Sequence, residues 1–80
     1  MTIPDRVTAG WIATLGNEPL VTVESRLHSE FIAEDKHERK RSGGRYALLQ
    51  GPAALVNAWL RWQMVSNEAR SRGLLVRPPR

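Results

Sequence analysis

Apolar residues fall at two distinct helical spacings along this chain, and three stripes result. Val7, Trp11 and Leu15 recur every four residues with Ile12 alongside, which places them on one side of a helix. Thr2-Ile3-Pro4-Asp5 ahead of them has capping-box spacing, with proline tolerated in a first turn, and Gly16-Asn17 is a stop signal. The pattern predicts a first helix from Pro4 to Leu15. Leu20, Val23, Leu27 and Phe31 form a second stripe, predicting a helix that starts at Pro19 or Val23 and ends at Arg41, before Ser42-Gly43-Gly44. The β-branched run Leu20–Val23 also has strand character, and Tyr46–Gln50 is a short apolar run of either type.

Gly51-Pro52 restarts the chain, and Leu55, Ala58, Trp59, Trp62, Val65 and Ala69 follow helical spacing from Ala53 to Arg72. Val56, Leu60 and Met64 lie on an adjoining face, so the apolar arc is wider than one small helix can cover. Gly73 ends the helix. The fold expected is all-α: a small three-helix domain with a long C-terminal helix and a mobile Pro/Arg tail. The alternative is α+β, with a short hairpin pairing Leu20–Val23 with Tyr46–Gln50. Eighty residues make one domain, 1–80, with 1–3 and 74–80 expected to be loose.

Composition narrows the function classes. There is no cysteine, which removes disulfides and thiolate zinc sites and favours the cytoplasm. No stretch is apolar enough to span a membrane, and the first residues lack the pattern of a secretion signal. The net charge of +4 is unevenly spread. Residues 1–38 carry three basic and seven acidic groups, whereas 39–80 carry nine basic groups against Glu68 alone. A basic second half attracts nucleic acid or an acidic protein surface, and opposite charge on the two halves also favours head-to-tail association.

The densest cations are Lys36, Arg39, Lys40, Arg41 and Arg45, set around Gly43-Gly44. Cations clustered this way can contact phosphates and displace condensed counterions, so they are the candidate nucleic-acid-binding residues. The competing explanation is local, because basic residues at a helix C-terminus complement its dipole and Asp35 stands one turn before Arg39. Trp59, Arg61 and Trp62 are the candidate partner-binding residues, being of types enriched at binding hot spots; the same stripe also serves as core.

Chemistry is otherwise sparse. Glu34 and His37 have the Glu-x-x-His spacing of di-iron bundles, but that centre needs a second such helix. Gly43-Gly44 lacks the surrounding phosphate-loop pattern, and no nucleophile–base set is suggested by His28, His37 and the scattered serines. No metal or cofactor is called for. The expectation is a small non-enzymatic regulatory protein contacting nucleic-acid phosphates through its basic second half. The alternative is a protein-interaction module, an adaptor or small inhibitor, using the Trp59/Trp62 helix. A homodimer follows in either case from the broad apolar arc.

Overall fold

A computed structural model of the chain describes residues 2–43 and 51–74. Arg45, Tyr46–Gln50 and the tail from 75 onwards lie outside the described residues. Among the described residues there are three helices: α1 (Ala9–Ala13), α2 (Asn17–Ser42) and α3 (Ala53–Ser71). No strand occurs among the described residues. The α+β alternative is therefore corrected: Leu20–Val23 lies inside α2. Burial of Leu20, Val23, Leu27 and Phe31 along a single helical face outweighs the strand preference of the β-branched residues.

α1 is shorter than its spacing predicts. Thr8 rather than Thr2 is the N-cap, its Oγ1 accepting from the Trp11 backbone N–H at 3.1 Å. Residues 2–8 instead run non-helically over the core, where Val7 is buried and Ile3 packs alongside. The Arg61 guanidinium holds this segment by donating to the Pro4 carbonyl at 3.1 Å. Hydrophobic anchoring of Ile3 and Val7, with that bond, wins over the capping signal.

At 26 residues α2 is the longest element, about 39 Å at 1.5 Å per residue, matching the long dimension of the body. Gly16 opens it, and Gly43 closes it at φ 69°, donating to the Arg39 carbonyl. The 19-residue α3 ends in a Schellman turn. Leu74 N–H donates to the Ala69 carbonyl at 2.9 Å, Gly73 N–H to that of Arg70 at 3.0 Å, and the Leu74 side chain packs on the core.

α2 and α3 pair antiparallel. Phe31 stacks on Trp62 at 5.4 Å between ring centroids, Glu30 meets Arg61, and Asn17 meets Arg72. The core lies between them, with Leu20, Leu27, Phe31, Leu55, Trp62 and Val65 almost fully enclosed, and Ile12 of α1 adds to it. α3 packs on both other helices.

Candidate interaction surfaces

The basic end of α2 is more balanced than its sequence suggests. Arg39 Nε donates to Asp35 Oδ2 at 3.0 Å. Arg41 forks onto Glu38, Nε to Oε2 and Nη2 to Oε1, both at 3.0 Å. Asp35 and Glu38 are themselves buried, so each arginine neutralises a carboxylate that would be costly to enclose alone. Lys36 and Lys40 are exposed, one turn apart, and neither has a carboxylate partner among the described residues. Of the five candidate cations, then, two are paired, two stand open, and Arg45 lies outside the described residues.

The same holds across the helical body. Arg61 bridges to Glu30 at 3.2 Å as well as to Pro4. Arg72 Nε donates to Glu68 at 2.7 Å, while its Nη1 donates to the Leu15 carbonyl at 2.7 Å and Asn17 Oδ1 at 3.3 Å. Its Nη2 reaches the Ile12 carbonyl at 3.4 Å. This one guanidinium satisfies the end of α1 and ties it to α3. The described residues carry nine basic and eight acidic side chains, a net of +1. The other three charges of the +4 belong to Arg45, Arg77 and Arg80; within the described residues the second half still carries six basic groups against Glu68, and the acidic first half offsets them.

The tryptophan stripe divides. Trp62 is 1% exposed, stacked on Phe31 and tilted against His28 at 4.8 Å, so it is core in this chain. Trp59 is half-buried beside it, with its indole N–H enclosed and without an acceptor. Arg61 is committed to the N-terminal segment. Of the three partner-binding candidates, only Trp59 combines core packing with an accessible edge and no bond that holds it to another element.

Helix geometry then sorts the two long faces of the α2–α3 hairpin. Arg61 and Glu30 mark the face that α1 and the N-terminal segment cover. Trp59 and Gln63 lie two residues either side of Arg61, about 200° around α3; Val21 and Ile32 lie about 180–200° around α2 from Glu30. They share the opposite face, which no other described element covers. There Val21 is 40% and Ile32 37% exposed, and Leu60 stands at its margin at 45%. Single exposed apolar residues are ordinary; several along one face of a hairpin form a patch.

The hint for this face was a second repeat beside the buried one in α2, with Val21, Ser25, His28 and Ile32 spaced by four, three and four. The roles of Thr8 and Arg72 had no comparable signal, apart from the turn separating Glu68 from Arg72. Three further facts bound the chemistry. The sequence contains no catalytic motif. Among the described residues, no group of three or more His, Cys, Asp or Glu side chains could hold a metal, and no helix is long and apolar enough to cross a membrane. Shallow grooves beside α1 (Ala9, Ile12, Met64) and at the α2–α3 end (His37, Glu38, Leu55) have volumes near 300 Å³.

No protein-family model matches this sequence, and comparison with curated proteins and with solved structures found no match. The fold by itself defines the class: a small all-helical, three-helix domain.

Proposed function

We propose that this chain is a non-enzymatic protein-interaction module that docks its partner on the open face of the α2–α3 hairpin, beside Trp59. One observation carries the reading: Val21 and Ile32 are exposed beside a half-buried tryptophan on the side that α1 leaves uncovered, with Leu60 at its margin. A rigid aromatic flanked by aliphatic side chains is the composition of a binding hot spot. Of the original partner-binding trio, Trp59 remains the anchor, and Trp62 supports it from inside.

The phosphate-contact reading has a narrower basis, the open Lys36–Lys40 pair, since Arg39 and Arg41 already hold carboxylates. Two lysines imply a log–log salt slope of about −2 on a duplex, rather than the steeper dependence of a full basic cluster. Fluorescence anisotropy with a labelled duplex at low salt separates the readings, alongside capture from a nuclease-treated lysate by wild type and by Ile32→Glu. The interaction reading expects no duplex binding and a capture that Ile32→Glu abolishes. Duplex binding lost on changing Lys36 and Lys40 to alanine, with capture insensitive to Ile32→Glu, would overturn it.

A further inference from the structure

None of the exposed residues on α3 is charged. Apart from Ala54 they form one stripe on the side turned away from α2: Ala53, Asn57, Leu60, Met64, Asn67 and Ser71. On α2, by contrast, seven of the fourteen exposed residues are Asp, Glu, Lys or Arg, as a solvated helix face ordinarily requires. Leu60 and Met64 stand at the centre of the α3 stripe, 45% and 38% exposed. We infer that a second copy of this chain covers the stripe, α3 packing antiparallel on α3 around a two-fold axis level with Trp62. This surface goes beyond the docking face beside Trp59, which it meets only at Leu60.

The stripe itself selects a second copy as its occupant. Its positions are spaced by four, three, four, three and four, the interval of a helix–helix seam. They also read alike in both directions. Reversing one copy on the other about Trp62 pairs Ala53 with Ser71, Asn57 with Asn67, and Leu60 with Met64. Small residue meets small residue, amide meets amide, and aliphatic meets aliphatic on either side of the axis. A strongly charged partner would find no opposite charge here. The charges beside the seam are already bonded within the chain, Arg61 to Glu30 and Glu68 to Arg72. Arg70 lies about 100° around the helix from the seam.

Asn67 sets the direction. Its Oδ1 accepts from Arg70 Nη2, so its amide offers N–H groups outward. The antiparallel arrangement sets those donors against the exposed Asn57, whose Oδ1 is an acceptor. A parallel pair would set Asn67 against Asn67, donor to donor, and align the two helix dipoles unfavourably. The seam is about 28 Å long, which places it at the small end of specific interfaces, so the dimer should form at micromolar concentration.

Sedimentation equilibrium of the full chain tests this. Met64→Glu sets an unpaired carboxylate against Leu60 of the other copy and should weaken the dimer about tenfold or more. Met64 is exposed, and circular dichroism checks that the variant folds. Ile32→Glu, on the docking face, should leave the dimer unchanged. Because the chain has no cysteine, mixing Asn57→Cys with Asn67→Cys and oxidising should cross-link the two. Asn57→Cys alone should not cross-link to itself, since its two copies lie about 15 Å apart along the seam. A dimer indifferent to Met64→Glu, one dissociated by Ile32→Glu instead, or an Asn57→Cys self-cross-link overturns the inference. A wild-type monomer at high micromolar concentration also overturns it, yet leaves the docking reading standing if lysate capture still depends on Ile32.

Discussion

Replacing Arg72 with alanine removes a guanidinium that serves two helices at once, and its cost can be worked from the contacts. The bond to Leu15 O at 2.7 Å is short and charge-assisted; those to Asn17 Oδ1 and Ile12 O, at 3.3 and 3.4 Å, are weaker. A hydrogen bond to a charged group contributes about 1.5–3 kcal/mol, and the long pair adds less than one such bond. The side chain is 21% exposed, so water recovers part of this, and the exposed Glu68 contact adds little. A net loss of about 2 kcal/mol follows. A domain of this size has about 4–12 kcal/mol in all, so Tm should fall by roughly 8–16 °C. Urea denaturation followed at 222 nm measures the loss, and hydrogen exchange at Leu15 shows whether α1 opens first. Arg72→Lys should recover less than half, because a single ammonium cannot reach three acceptors and Glu68 together. Lys40→Ala, at a surface position, should stay within about 0.5 kcal/mol of wild type. If Arg72→Ala is equally benign, the clamp has no energetic role and the argument fails.

Trp62→Ala should cost about 3–5 kcal/mol and Trp59→Ala clearly less, since only Trp62 is fully enclosed; denaturation midpoints in the reverse order would refute this core assignment. Thr8→Ala should cost about 1 kcal/mol by removing the bond to Trp11 N–H, seen as faster amide exchange at that residue. Gly43→Ala should cost about 1 kcal/mol through its left-handed backbone, as no non-neighbouring atom of the described residues lies within 4 Å of the new methyl; a urea titration checks it.

How much of this was legible in the sequence depended on whether the signal was local. The long stripes through Leu20–Phe31 and Leu55–Ala69 were readable because burial on one side writes itself as a helical period. Gly43 and Gly73 were readable because left-handed helix ends favour glycine. Asp35 and Arg39 were readable as neighbours one turn apart. The capping signal at Thr2 misled, because Ile3 and Val7 pack on the shared core and Arg61 of α3, far along the chain, holds the Pro4 carbonyl. The basic cluster overstated its availability for the same reason in part: the burial of Asp35 and Glu38, which commits Arg39 and Arg41, depends on packing. Arg72 could be counted as a charge but not as a clamp, since its acceptors are carbonyls more than fifty residues away. Trp59 and Trp62, three residues apart on one stripe, could be told apart only once the hairpin had a covered and an uncovered side.

The unequal lengths of the two long helices have a practical outcome. α2 exceeds α3, and beyond Glu38 its last turn, Arg39 to Arg41, is exposed. That turn adds little to the core, so its amides should exchange ahead of those around Phe31, and it presents successive cut sites to a trypsin-like protease. A nick there would divide the chain into a piece bearing α1 and α2 and a piece bearing α3. What holds them is not covalent: the Phe31–Trp62 stack, the Arg61 bridge and the Arg72 clamp all join one piece to the other. Made separately, the two pieces should find each other and rebuild the hairpin, so this small domain is also a candidate for a split pair whose reassembly reports when two attached proteins meet.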